Sequence, residues 1–371
     1  MQRRAGFPDR PWGSAHVGAT VPPVAADFLR HQRLAVIAAA APDGSVWASP
    51  LTGPPGFVTA RDERTVAARR TPVVGDPLRD AFTAERDLGM IAIEPARRRR
   101  MRVNGRARQE GDLLVVHTEQ VYANCPKYIQ AHEVRADGWP AAGAVVESDR
   151  LSAEQRALVA AVDTFFVATR APGHGADASH RGGRPGFVAP ADERHLSWPD
   201  YLGTSMDMTL GNLELEPRTG LLFLDWDRGR TLQLTGRARL DWAPDRAARV
   251  PGAQRVVDFE VERVVQIDGA VALRFTPPEY STFNRPQVLA AALRRASTRC
   301  STTKTRSRSP ITIRDHHELK VPSNDRIVWI VPSTSTPSTE PSTNPEPPVS
   351  RVPPMTTAAI ASSSMPTACR L

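Results

Sequence analysis

Pro55-Gly56-Phe57-Val58, followed by Asp62-Glu63-Arg64, returns as Pro185-Gly186-Phe187-Val188 followed by Asp192-Glu193-Arg194, an offset of 130 residues. Further along, Gly105-Arg106-Ala107-Arg108 returns as Gly236-Arg237-Ala238-Arg239, an offset of 131. Two matches in register, with one residue of drift, are the mark of a duplicated module, and a repeat of this kind decides the architecture before local propensity is weighed. At 371 residues and 40% apolar content, the chain can give each copy its own core.

The elements inside each copy agree. Arg33 to Ala40 and Thr164 to Thr169 are β-branched, aromatic and small apolar runs that end at turn residues, Pro42-Asp43-Gly44 and Pro172-Gly173-His174-Gly175. Each run follows a short helical stretch, Ala25 to Gln32 and Ala153 to Ala161, the second with Ser152 as its N-cap. Further strands are expected at Val46 to Leu51, Leu88 to Ile93, Met101 to Ala107 and Leu113 to Val121, with counterparts at Gly220 to Trp226, Thr231 to Leu240 and Val256 to Val265. Many short strands and few helices predict a mainly β chain with short helices (α+β), built as barrels rather than a parallel sheet. Two β-sandwiches would give the same pattern.

The boundaries follow from composition: an N-terminal arm at 1–24, a first module at 25–146, a second at 147–290, and a Ser/Thr/Pro-rich tail at 291–371. The tail is too poor in large apolar residues to offset the entropy of ordering and is expected to be disordered, with Arg326 to Val331 as a strand-like island. It holds 11 Lys/Arg against 5 Asp/Glu, a net +6 of the chain's +8. The remaining +2 is no footprint for nucleic acid, whose readers carry their charge on a folded face.

Cys125, Cys300 and Cys369 are too few and too scattered for a disulfide framework or a zinc site, so no metal is expected and a reducing compartment fits. With no apolar run of about 18 residues and no signal-peptide core near the start, a soluble, cytoplasmic protein is expected.

The copies differ most where Trp47 to Gly53 aligns with Asp177-Ala178-Ser179-His180-Arg181-Gly182-Gly183. An apolar segment in one copy is a set of polar and charged groups in the other, ending in glycines that allow close backbone approach. It reads as a segment that grips an anion or heterocycle, or as a polar strand-to-loop edge. Downstream, Trp198 to Asn212 reads as turn residues leading into a short helix, where Thr204, Ser205 and Thr209 are either phosphate donors or plain caps. Arg97 to Arg100 is either a partner for an anionic cofactor or a solvated edge.

The wording of both copies resembles the bacterial flavin-nucleotide-binding proteins related to pyridoxamine 5'-phosphate oxidase. The stretches that carry the likeness are QRLAVIAAA from Gln32, RRRMRVNGRAR from Arg98 and ANCPKYIQ from Ala123 in the first copy. In the second they are ADASHRGGRPGFV from Ala176, WPDYLGTSM from Trp198 and TLGNLELEPRTGLLFLDW from Thr209. Together these motifs run from about Phe28 to about Asn284, roughly seven-tenths of the chain. The resemblance implies two tandem FMN-binding split β-barrels that form a pseudo-dimer within one chain, with FMN at their junction. It puts Ser179, His180 and Arg181 along the ring edge or ribityl chain, Tyr201, Thr204, Ser205 and Thr209 near the phosphate, Asn212 in support, and Lys127 reaching over from the first module. Asp207 departs from the family wording, and a carboxylate beside a phosphate repels it.

Flavin chemistry resides in the cofactor, so a missing acid–base pair says nothing against an enzyme. The resemblance implies an FMN-dependent oxidoreductase acting on a small molecule, with NAD(P)H or a redox partner protein as electron source and further homo-oligomerisation left open. A flavin-binding or sequestering module without turnover, and a structural relative with a decayed site, are the other readings. Oxidation of pyridoxamine 5'-phosphate itself fits less well, because only Asn324-Asp325-Arg326 stands where a substrate-gripping Arg-Leu-His-Asp-Arg stretch would be.

Overall fold

The computed structural model describes residues 17–136, 141–203 and 207–285. The expected 291–371 tail with its Arg326 to Val331 island, Cys300, Cys369 and most of the 1–24 arm lie outside the described residues.

The first half opens with helix α1 (Pro23–Arg30). Proline at its first position forfeits no helical hydrogen bond, and Ala25, Phe28 and Leu29 share one buried face at i, i+3, i+4 spacing. Seven strands follow: β1 (Leu34–Ala40), β2 (Val46–Thr52), β3 (Val58–Asp62), β4 (Thr65–Ala68), β5 (Arg86–Glu94), β6 (Arg99–Glu110) and β7 (Leu113–Asn124). They form an antiparallel sheet in the order β2-β1-β5-β6-β7-β4-β3. Short strands β8 (Val134–Ala136) and β9 (Val145–Ser148) lie on the connection.

The second half begins with α2 (Ala153–Ala161), where Ser152 accepts from the Gln155 N–H and the Gln155 side chain accepts from the Ser152 N–H, a capping box. Strands β10 (Thr164–Ala171), β11 (Gly175–Gly182), β12 (Ala189–Pro190) and β13 (His195–Tyr201) precede helix α3 (Met208–Leu215). Then come β14 (Arg218–Asp225), β15 (Arg230–Asp241), helix α4 (Pro244–Ala248), β16 (Ala253–Ile267) and β17 (Arg274–Phe275). The sheet order is β11-β10-β14-β15-β16-β13-β12, with β9 added to β16 and β17 paired with β8. Matched strand for strand, this is the order of the first sheet.

One local expectation changes. Trp198 to Tyr201, read as turn residues, belong to β13, which pairs with β16. Pro199 is accommodated with a register shift just beyond it, at Asp200/Tyr201. The Asp177 to Gly182 segment is strand throughout, paired with β10.

Each sheet encloses a core, and a third core lies between them. Along β1 the side chains alternate: Ala35, Ile37 and Ala39 face the first core, while Leu34, Val36 and Ala38 join Phe166, Ala168, Ala178, Leu222 and Leu224 from the other half. A strand buried on both faces must be apolar at every position, which is why Leu34–Ala40 shows no polar alternation. Two glycines bring the halves close. A Cβ on Gly89 of β5 would lie 2.5 Å from the Asp177 Cα of β11, and one on Gly220 of β14 would lie 2.6 Å from the Trp47 Cα of β2. These pairs are equivalent under the repeat, so the contact is made twice about a pseudo-two-fold axis, as in an isologous dimer. Among the described residues no helix is long and apolar enough to cross a membrane.

Candidate functional site

A cavity opens where β6 and the segment after β7 meet β11, β13 and the start of α3. The first half contributes Arg100, Arg102, Asn124, Cys125, Lys127 and Tyr128. The second contributes His180 and Arg181 from β11, Asp200 and Tyr201 from β13, and Asp207 and Thr209 near α3. Strand alternation sets the cations: Arg100 and Arg102 are two apart on β6 and so lie on one face.

Arg102 is the best-partnered of them. Its Nη1 donates to Asp177 Oδ1 at 2.7 Å and to Tyr122 Oη at 3.2 Å, and its Nη2 donates to Ser179 Oγ at 2.7 Å. Burial works against its charge, but Asp177 and Tyr122 together outweigh that and raise its pKa. Asp177 also accepts from Thr209 Oγ1 at 3.1 Å. Arg255 and Asp200 form a second pair, 3.0 Å apart though off the hydrogen-bonding line at Nε.

Arg100 and Arg181 are different. Among the described residues neither has a carboxylate within ion-pair distance. Arg181 Nη1 donates to Ser179 Oγ at 2.6 Å and to the His180 carbonyl. Arg100 Nη1 lies 2.7 Å from His180 Nδ1, and its Nε is buried without a partner. Burial first, then the neighbouring Arg102 and Arg181, push the Arg100 pKa down to about 9, and burial lowers that of Arg181. An arginine can only donate, so His180 Nδ1 accepts and the ring proton sits on Nε2, itself buried without a partner. Burial and the three arginines hold the His180 pKa well below its usual value, so the ring is neutral.

Aromatic groups form another wall. Tyr128 stacks on Tyr201 with ring centroids 5.3 Å apart, and Lys127 Nζ lies 5.2 Å from the Phe283 ring centroid. Tyr128 takes a left-handed φ of +65°, an uncommon conformation for a bulky residue. Its carbonyl comes so close to Gly182 that any side chain there would collide with it. The close approach expected at Gly182-Gly183 is therefore made by the chain's own backbone at Gly182 and by the Phe187 ring at Gly183.

The expected site residues separate accordingly. His180, Arg181, Tyr201, Thr209 and Lys127 line the cavity. Ser179 is fully buried beneath it as the shared acceptor of Arg102 and Arg181. Asn212 points to Thr169 Oγ1 at 3.1 Å, bracing α3 on β10. Thr204 and Ser205 lie outside the described residues. Sequence reasoning missed Arg102 as a member of the site and left Arg100 within a run that could be a cofactor partner or a solvated edge. The Arg97 to Arg100 run divides, because Arg97 and Arg99 pair with Glu94 and Arg98 with Glu279, while Arg100 turns into the cavity. Cys125 is half-buried at the rim.

The pseudo-symmetric junction lacks this chemistry. Arg100, Arg102, His180 and Arg181 correspond there to Thr231, Gln233, Pro50 and Leu51. Gln233 Nε2 donates to Ser49 Oγ at 3.1 Å, as Arg102 does to Ser179, and also to Asp76 Oδ2 at 3.0 Å. Among the described residues, the equivalents of Arg100, Arg102 and Arg181 at this second junction carry no charge.

A flat, anionic cofactor such as a flavin nucleotide fits the donor set: Arg100, Arg181 and Lys127 supply positive charge, His180 and Asn124 carry unpartnered polar atoms, and the tyrosine wall suits a planar ring.

Residues 151–283 match the family model of pyridoxamine 5'-phosphate oxidase. No curated protein matches the chain. Among solved structures, HupZ of Group A Streptococcus is 17% identical, covering 31% of this chain and 91% of its own at a TM-score of 0.26. A FAD-binding protein from Mesorhizobium loti is 14% identical, covering 34% of this chain and 99% of its own at a TM-score of 0.22. Likenesses of that size carry no structural argument.

Proposed function

Since the chain carries a module of the pyridoxamine 5'-phosphate oxidase family at residues 151–283, we propose that it is an FMN-binding flavoprotein, two split barrels clasped as a pseudo-dimer around one cofactor, that acts as an oxidoreductase on a small molecule. The observation that carries this reading is the pair of deep arginines without carboxylates, Arg100 and Arg181, in a cavity shared by both halves. An unpaired charge taken out of water is costly, so a site that holds two is built for a ligand that arrives with negative charge. A phosphate monoester is such a ligand, which favours FMN over riboflavin.

When bound, the flavin supplies the two-electron chemistry. The chain's residues bind and orient it. Arg100 holds His180 in the tautomer that presents an N–H at Nε2, Ser179 fixes the Arg102 and Arg181 guanidinium groups, and Tyr128 and Tyr201 shield one side from water. The substrate and NAD(P)H or a redox protein would be its partners, with no role for nucleic acid or membrane.

Purified protein is expected to be yellow, with a flavin absorption spectrum and FMN mass, and Arg181→Ala is expected to weaken FMN binding about tenfold to a hundredfold. Colourless protein that takes up no added FMN overturns the assignment. Bleaching by NADH or NADPH separates the oxidoreductase from a flavin-sequestering module, the second reading.

A further inference from the structure

At the offset of 131 that relates Gly89 to Gly220, Asp76 corresponds to Asp207. Both begin a helical turn: the Asp76 carbonyl accepts from the Arg79 N–H and the Asp207 carbonyl from the Gly211 N–H. At the other junction Asp76 is fully engaged. It accepts from Ser49 Oγ at 2.6 Å, from the Leu78 N–H at 2.8 Å and from Gln233 Nε2 at 3.0 Å, and so completes that junction with the chain's own carboxylate.

At the cation-bearing junction the equivalent of Gln233 is Arg102, and its carboxylate partner is Asp177, which stands where the other copy has Trp47. Asp207 is thereby displaced from the role its duplicate plays. It lines the cavity in a left-handed conformation, φ +49°, with Oδ2 buried and without a hydrogen-bond partner. Arg255 and Arg181 are the cations whose field reaches it, although burial outweighs them and raises its pKa.

We propose that Asp207 is a specificity-determining residue of the anion cavity: a built-in carboxylate, left over from the role Asp76 fills in the other copy, that sets how strongly the site favours a phosphorylated flavin over its phosphate-free form. With Arg102 paired to Asp177 and Arg255 to Asp200, the cavity's other cations are Arg100, Arg181 and Lys127; Asp200 and Asp177 also act on Arg181, and Asp207 is the cavity carboxylate that is in no ion pair among the described residues. It discounts the binding of an incoming phosphate by like-charge repulsion and by its claim on Arg181, and it leaves uncharged riboflavin unaffected. The proposal rests on the flavin reading of the cavity.

Affinities for FMN and riboflavin, measured by fluorescence quenching on the full chain, test it. Asp207→Asn is expected to tighten FMN about tenfold and to change riboflavin by less than about twofold, with Asp207→Glu keeping the wild-type ratio. An unchanged or reduced FMN-to-riboflavin ratio in Asp207→Asn overturns the proposal. So does Asp207→Glu behaving like Asp207→Asn, since that would make the effect one of shape rather than charge. Failure of the wild-type chain to bind either flavin refutes the flavin reading instead, so the two failures are distinguishable.

Discussion

Asp76 shows what a carboxylate does when a junction offers it only neutral donors. Burial raises its pKa from 3.8 to about 6, even though Ser49, the Leu78 N–H and Gln233 all donate to it. Because the folded-state pKa is the higher one, folding is favoured most when the group is protonated. That contribution is complete below about pH 4 and is lost as pH rises through about 6, a change of about 3 kcal/mol at most. Asp76→Asn cannot ionise. Its stability relative to the wild type, from urea unfolding at pH 4 and pH 7.5, should therefore improve at the higher pH. A difference independent of pH would show that Asp76 is ionised throughout.

At the scale of elements, the glycines of β5 and β14 turn pseudo-symmetry into an experiment. A methyl group on either meets backbone of the facing strand, which cannot rotate away, so Gly89→Ala and Gly220→Ala should each cost about 1–3 kcal/mol. Their functional effects should differ. Gly89 abuts Asp177, the partner of Arg102, and its replacement should also weaken FMN binding, while Gly220 abuts Trp47 at the other junction and should leave binding nearly intact. Equal losses of FMN affinity would contradict the assignment of the site to one junction. The same elements mark how far the sequence could be read. The paired strands were legible because turns and apolar runs recur at the repeat spacing. β13 was not, because Pro199 and Asp200 mimic a turn and only the long-range pairing with β16 makes them strand. Ser179, His180 and Arg181 stood out by contrast with their apolar counterparts. Arg100 could be read two ways within its arginine run, and Arg102 did not stand out, since its partners Asp177 and Ser179 lie 75 and 77 residues away in the chain. Aligning Arg102 with Gln233 was the signal that would have found it.

The whole molecule is more symmetric in fold than in chemistry. The sheet order repeats, and the two halves close on a shared core through equivalent strands. Side chains break the tie. At one junction Arg100, Arg102, His180 and Arg181 face a cavity; at the other, Thr231, Gln233, Pro50 and Leu51 leave a network already closed by Asp76. A homodimer of single modules would have to repeat both junctions identically, whereas duplication within one chain frees one of them to trade ligand binding for packing. Titration of the apo chain with FMN should therefore saturate at one equivalent per chain, with a single affinity class. The mutant Arg181→Ala should bind that equivalent about tenfold to a hundredfold more weakly, and Leu51→Ala, at the matching position of the other junction, should leave its affinity unchanged. A second equivalent of comparable affinity, surviving Arg181→Ala, would mean that the other junction also binds, and that the surplus of buried positive charge is not what selects the ligand.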